Sequence, residues 1–450
     1  MSTASGGRER RAVVTLPRRF APEARPLSTE RFPGTVTFVI LLAVLPLFAQ
    51  TFHYMNEFPI PYFLSKGWPI ITLPLALYAI VQLKLPGKMF YLVFLAYAIG
   101  FTPFVSMVHL GNGLFDALLT TVKVWPLLYY FALSALLVIL APTYEHTRLS
   151  LIVLGYATFG LMIVLWVVVP TSWYLNNPEM GKLFMIEELR GYRIYMPMYF
   201  GALLVFFMVR SFMETPRWLP VVVVLTALVL MFTIFKQRAS IGGVILVSIY
   251  AVVMSLQPRL RLIVIGLGLA TVPLAVVYLI VANSQDLAQS LGGSLTVRQN
   301  SLALASNFLG DNVWSWIFGV GVTTRFSTIT LAEIFNNPQF YIADIGWVGV
   351  VFEYGAFGAL LLAGLYCWGF YIVVRTVGAQ RDPMILALSD YILFMLVASA
   401  VYSLVFTPGE LGVCMALAVY LARVKGRSVT KVSPAHSISF APVARHKIRT

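Results

Sequence analysis

The stretch Leu219–Ser240, LPVVVVLTALVLMFTIFKQRAS, decides how the rest of the chain is read. Its first part, Leu219–Phe235, is apolar on every side of a helix and long enough to cross a hydrocarbon core. There is no alternation of polar and apolar residues, so it reads as a helix and not as a barrel strand. It then runs into Lys236-Gln237-Arg238, and the small residues Ala239 and Ser240 open another apolar run. Similar runs recur at Val36–Phe52, Met89–Leu110, Leu149–Pro170 and Leu260–Ala282.

The whole chain follows that pattern. Of its 450 residues 59% are hydrophobic and 11% charged, about half the charge of a soluble domain, and its mean hydropathy is +0.83. The expected fold is therefore all-α: a polytopic membrane protein of about twelve transmembrane helices with one large periplasmic loop. The helices are expected at 35–52, 67–83, 88–109, 114–140, 149–170, 195–211, 217–235, 240–256, 260–282, 352–375, 384–405 and 408–423. This divides the chain into a basic cytoplasmic segment 1–34, helices one to nine over 35–282, a periplasmic loop 283–341, helices ten to twelve over 342–423, and a basic cytoplasmic tail 424–450. The polar N-terminal segment leads into its apolar run without a small-residue cleavage site, so the first helix is expected to be uncleaved.

Charge sets the expected orientation. Seven Lys/Arg precede the first helix, nine lie in loops on the same side (Lys84, Lys88, Arg148, Arg210, Arg217, Arg259, Arg261, Arg375, Arg381), and seven lie from Arg423 to the end of the chain. These 23 of 32 basic residues mark the cytoplasmic side, with both termini there, in a bacterial inner membrane. The net charge of +14 is better explained by topology and anionic lipid than by nucleic acid. Cys367 and Cys414 both lie in apolar runs, and the five histidines are scattered. No metal site, cofactor or nucleotide-binding loop is expected.

The basic residues left on the outer side point to chemistry. Arg190 and Arg193 lie in the loop Thr171–Ile194, Lys236 and Arg238 in a tight turn, and Arg298 and Arg325 in the long loop Asn283–Tyr341. A cluster on the side where topology disfavours it asks for an anionic partner, and guanidinium forks match a diphosphate. The competing role is pairing with the loop carboxylates Glu179, Glu187, Glu188, Asp286, Asp311, Glu333 and Asp344. Arg238 could equally snorkel to headgroups. Asp344, at the start of an apolar run, could be a general base, a helix N-cap, or both. Trp314, Trp316, Phe326 and Tyr341 could stack on sugar rings or simply lie at the interface. Asp116 and Lys123, seven apart on one helix face, are expected to satisfy each other or water. Leu295, Leu302, Leu304 and Phe308 predict a short helix over Ser294–Phe308, lying along the membrane.

Several of these segments resemble the O-antigen polymerase and ligase superfamily of bacterial envelope glycan assembly, from about Arg190 to Gly364. They are Arg190-Gly191-Tyr192-Arg193-Ile194-Tyr195, Arg238-Ala239-Ser240-Ile241-Gly242, Arg298 with Trp316-Ile317-Phe318-Gly319-Val320-Gly321, Asp344-Ile345-Gly346-Trp347-Val348-Gly349, and Glu353-Tyr354-Gly355-Ala356-Phe357-Gly358. Ligases of the family usually carry His where Asp344 stands, so this position looks more like the polymerases. Val297 stands where the family usually has Gly. The resemblance implies a membrane glycosyltransferase that joins polyprenyl-diphosphate-linked oligosaccharide repeats at the periplasmic face, for exopolysaccharide, capsule or O-antigen. It implies Asp344, Arg238 and Arg298 as catalytic residues, with Arg190, Arg193, Arg325, Lys236 and Trp316 around the substrate. Its partners would be the lipid-linked oligosaccharide and membrane lipids, with a chain-length regulator and a flippase as protein candidates. The alternatives are an O-antigen ligase acting on lipid A-core, a polysaccharide transporter or flippase, and a structural membrane subunit.

Overall fold

The structure is a computed structural model and describes residues 32–53, 55–111, 113–176, 183–187, 190–282, 298–321, 335–336, 340, 342–377, 382–400 and 409–431. It is mostly helical, at 81%, as expected of an all-α polytopic membrane protein. Among the described residues seven helices are long and apolar enough to cross a membrane: Pro59–Gln82, Lys88–Leu110, Leu114–Leu140, Tyr144–Val168, Trp218–Phe235, Arg238–Ser255 and Trp347–Thr376. Helix is the natural form for such runs, because it satisfies every backbone donor and acceptor within the segment. Further helices stand at Gly34–Phe48, Tyr199–Glu214, Pro258–Ala282, Pro383–Ala398 and Gly409–Lys431.

The interior helices are buried nearly all round. Tyr129–Leu140, Tyr199–Glu214 and Pro383–Ala398 supply much of the core, with Tyr129, Tyr130, Phe131, Phe206 and Tyr391 inside it. The outer helices expose apolar side chains instead: Trp218 is 74% exposed, Leu225 57% and Val229 58%. An exposed apolar face of that extent is suited to lipid rather than water.

The boundaries depart from expectation in places. The second helix begins at Pro59, because proline tolerates the first helical turn, and it changes course at Thr72. Lys88–Leu110 contains a π-helical stretch at Ala96–Phe101, and Leu114–Leu140 a 3-10 stretch at Thr121–Leu128. The helix expected at 352–375 runs over Trp347–Val377 and is interrupted at Gly355, whose φ is +67° and ψ 174°. The loop Thr171–Ile194 is not structureless, and the fold is not purely α. Strands β1 (Phe184–Glu187) and β2 (Gly191–Ile194) form an antiparallel hairpin, with Phe184 opposite Ile194 and Glu187 opposite Gly191. Gly191, at φ +63°, closes it in a conformation that costs glycine little.

Consecutive helices alternate in direction, so their ends form two faces. The hairpin, residues 49–53 and 55–58, the turn at 236–237 and residues 399–400 share one face. Residues 83–87, 141–143, 215–217, 256–257 and Asp382 share the other. Two hydrogen bonds fix the second face: the Tyr144 hydroxyl donates to Asp382 at 2.6 Å, and the Tyr420 hydroxyl to the Pro142 carbonyl at 2.7 Å. Most of the loop expected over Asn283–Tyr341 lies outside the described residues. Its helix is present over 298–309.

Candidate functional site

The hairpin face gathers four of the expected basic residues. Lys236 ends the helix Trp218–Phe235 in a left-handed conformation, φ +55°, after the π-helical turn Met231–Phe235. Its ammonium donates to the carbonyls of Arg190 at 2.9 Å and Tyr192 at 2.8 Å. It is therefore committed to the hairpin, where a ligand-facing role was expected. Beside it, Arg238 opens the next helix and is exposed. An exposed guanidinium on the positive end of a helix dipole favours an anion at that point.

Arg190 and Arg193 share one carboxylate. Arg190 Nε lies 3.4 Å from Glu187, and Arg193, 7% exposed, is also paired with Glu187. Pairing with a loop carboxylate therefore holds for both. Burial pulls the Arg193 guanidinium below its ordinary value, opposed by the charge of Glu187. The two arginines share Glu187, and the rings of Phe184 and Tyr192 pack against Tyr174.

A second group forms where the long helix is interrupted. Gly319-Val320-Gly321 lies along the break: the Val320 amide donates to the Phe352 carbonyl at 2.8 Å and the Gly321 amide to the Glu353 carbonyl at 3.1 Å. These carbonyls lie where the break at Gly355 interrupts the helical ladder, and the glycine segment supplies donors to them. A Cβ at Gly319 would fall 2.5 Å from the Gly355 amide nitrogen. The Tyr97 hydroxyl, from the π-helical stretch, donates to the Tyr354 carbonyl at 2.6 Å. Two sequence motifs thus meet as one structure. Glu353, 1% exposed, receives the Lys123 ammonium on both carboxylate oxygens. Asp116 or water was the expected partner of Lys123, which lies in the 3-10 stretch Thr121–Leu128.

The remaining expected residues are spread around this second group. Arg298 lies in the helix described over 298–309, whose Ala305 and Leu309 pack with Val320, Phe340, Ile345 and Phe352. Trp316 is 38% exposed and donates its indole N–H to the Gly310 carbonyl at 2.9 Å. Asp344 lies in the 3-10 turn Ile342–Ile345, described at the backbone only. The helix begins three residues later at Trp347, so the N-cap position falls to Gly346 and not to Asp344. Arg325, Phe326 and Tyr341 lie outside the described residues. Among the described residues no group of three or more His, Cys, Asp or Glu could hold a metal ion.

One buried pair was not foreseen. Arg210, expected in a cytoplasmic loop, is 7% exposed inside the bundle. Its Nε and Nη2 donate to Asp390 at 2.7 and 2.6 Å, and its Nη1 to the Ala251 carbonyl and Ser255 hydroxyl, both at 3.1 Å. A lone acid such as Asp390 in an apolar helix is the signal that finds such a pair. No protein-family model matches this chain, and no curated protein matches it.

Proposed function

We propose that the chain is a polysaccharide polymerase that joins polyprenyl-diphosphate-linked oligosaccharide repeats at the periplasmic face of a bacterial inner membrane. The reading takes twelve membrane helices, with the hairpin face outward and both termini cytoplasmic. The distribution of charge supports it, since Lys84, Lys88, Arg148, Arg217 and Arg259 lie toward the opposite face. The observation that carries the function is the grouping of Arg190, Arg193, Lys236 and Arg238 on the hairpin face, with one acid between the first two. A cationic outward surface suits a lipid diphosphate as donor. On this reading Arg238 and Arg298 neutralise the charge developing on the leaving diphosphate. Asp344 takes the proton of the acceptor hydroxyl. Bond formation at the anomeric carbon displaces the lipid diphosphate, so the donor carries the energy of transfer. An O-antigen ligase would use the same donor and a different acceptor.

Purified chain with lipid-linked repeat unit, read as a polymer ladder, tests this. Arg238→Ala and Arg298→Ala should each lower the rate about 10²–10³-fold at matched folded protein. Lysine should restore little of it. Near-normal polymer from both lysine variants would remove these residues from the site.

The interrupted helix and the charge pairs inside the bundle favour a second reading, a transporter of lipid-linked glycan. Transporters place discontinuous helices and buried charges around their substrate path. Proteoliposomes that move lipid-linked glycan without lengthening it would establish that reading instead.

A further inference from the structure

An acid inside a membrane bundle is costly unless something neutralises its charge. Among the described residues the buried acids are Glu353, Asp382 and Asp390, and each holds a cation: Lys123, Lys425 and Arg210 in turn. Glu410 is served differently. It lies, partly buried, in the first turn of the helix Gly409–Lys431 and accepts a hydrogen bond from the Tyr391 hydroxyl at 2.6 Å. Among the described residues no cation pairs with it.

The helices packed around Glu410 present it with neutral groups. Tyr391 reaches it from Pro383–Ala398, Tyr199 faces it from Tyr199–Glu214, Tyr366 from Trp347–Val377, and Cys414 from its own helix. The rings of Tyr199 and Tyr391 lie edge to face at 4.7 Å, and the Tyr199 hydroxyl lies 3.5 Å from Cys414 Sγ. Gly409, just before the acid, packs on Gln50 and Tyr129: a Cβ there would fall 2.7 Å from Gln50 Oε1 and 2.9 Å from the Tyr129 ring. Gln50 belongs to the hairpin face, and Lys425, at the other end of the helix, meets Asp382 on the opposite face. From 410 to 425 the helix rises about 22 Å. A hydrocarbon core is about 30 Å thick, so Glu410 falls inside it, toward the hairpin face.

We propose that Glu410 is a proton-binding site, whose carboxyl holds a proton near neutral pH and exchanges it on the hairpin side of the bundle. An ionised carboxylate placed there would have one neutral hydroxyl to offset the water it has lost, and taking up a proton costs less than that. The rival is an ionised carboxylate held by the positive end of its own helix, since a first turn favours an acid. A carboxyl oxygen can accept from Tyr391 in either state, so the two differ only in whether the proton is there. The inference goes beyond the polymerase, whose donor carries the energy of transfer, and gives the transporter reading a coupling ion.

The test uses the full chain purified in detergent and N,N′-dicyclohexylcarbodiimide, an apolar reagent for protonated carboxyls. The acid adds across a C=N bond of the reagent and its proton passes to nitrogen. The adduct then rearranges to a stable N-acylurea with no leaving group, and peptide mass spectrometry locates it. Glu410 is labelled, while Glu353 and Asp390, each paired with a cation, are not. Labelling of Glu410 falls at least about tenfold between about pH 6 and about pH 9. Tyr391→Phe moves the midpoint of that fall to higher pH, because the lost hydroxyl bonds the charged form more strongly. Infrared spectra over the same pH range give a second readout, a titrating C=O band of the neutral carboxyl. That band is absent in Glu410→Gln, or shifted in Tyr391→Phe should the glutamine variant fail to fold. Either the pH-dependent adduct at Glu410 or this band supports the proposal. Absence of both overturns it and leaves an ionised carboxylate held by its helix.

Discussion

Lys123 and Glu353 stand 230 residues apart in the chain and meet where a long helix is interrupted, the ammonium closing on both carboxylate oxygens. The carboxylate is 1% exposed and the ammonium side chain 24%, so the pair is anchored on its buried acid. A buried carboxylate stripped of its cation is costly, whereas a lysine stripped of its acid can still reach water.

Lys123→Met should therefore destabilise more than Glu353→Gln. We expect about 3 kcal/mol for the first and about 1 kcal/mol for the second. Lys123→Met combined with Glu353→Gln should recover much of the loss, because no charge is then stranded. Thermal or denaturant unfolding in detergent measures this, and simple additivity of the two losses would contradict the pairing.

Glycine is required where the 319–321 segment crosses the break. Gly319, at φ +74°, would put a Cβ 2.5 Å from a backbone nitrogen. Gly319→Ala should cost several kcal/mol or abolish folding, from strain and clash together. Gly242 lies inside the helix Arg238–Ser255 with nothing within 4 Å of a Cβ, so Gly242→Ala should stabilise by about 0.5–1 kcal/mol. Expression level and unfolding midpoint distinguish the two.

The Arg210 fork predicts asymmetry between conservative changes. Lysine cannot serve Asp390, Ala251 and Ser255 together, so Arg210→Lys should cost about 2–3 kcal/mol. Arg210→Met with Asp390→Leu should come close to the unaltered chain in stability, since apolar packing often replaces a buried pair. Unfolding midpoints of the three proteins are the measurement.

Lys236 ties the hairpin through two carbonyls, at 2.9 and 2.8 Å. Lys236→Met should raise hydrogen exchange across 190–195 at least about tenfold, as local opening becomes easier, with little change in global stability. Unchanged exchange there would mean that the aromatic packing beneath holds the hairpin without it.

On the opposite face Asp382 caps the helix Pro383–Ala398 and pairs with Lys425 at 2.7 Å. Burial raises its pKa, but hydrogen bonds from Lys425, Tyr144 and the Ile385 amide outweigh that and hold it below the ordinary carboxylate value. The folded pKa is thus depressed, so this stabilisation is fully present above the unfolded value near pH 4 and fades as pH falls through the folded one. The unfolding midpoint of the unaltered chain should drop below about pH 4 more steeply than that of Asp382→Asn. Parallel pH profiles would contradict it.

Much of the helical fold was legible because the span of a bilayer and the cost of bare backbone in lipid are local constraints, written into runs such as Leu219–Phe235. The basic residues of the hairpin face were legible for the same reason, since charge is counted along the chain. The hairpin was not, because β1 and β2 are four residues each and carry no period that distinguishes them from a loop. The interruption at Gly355 was hidden as well, since a glycine in an apolar helix is ordinary until another segment docks on it.

The sequence by itself determined that this is a mostly helical protein with long apolar runs, and which turns carry cations. The tertiary structure alone decided which charges meet: Lys123 with Glu353, Arg210 with Asp390, and Arg190 and Arg193 on one Glu187. It also decided that Trp68 and Tyr129 pack against the same phenylalanine, Phe48. Periodicity and composition describe each helix against a uniform surrounding. Partners 180 or 230 residues away are chosen by how the helices pack, and packing depends on all of them at once.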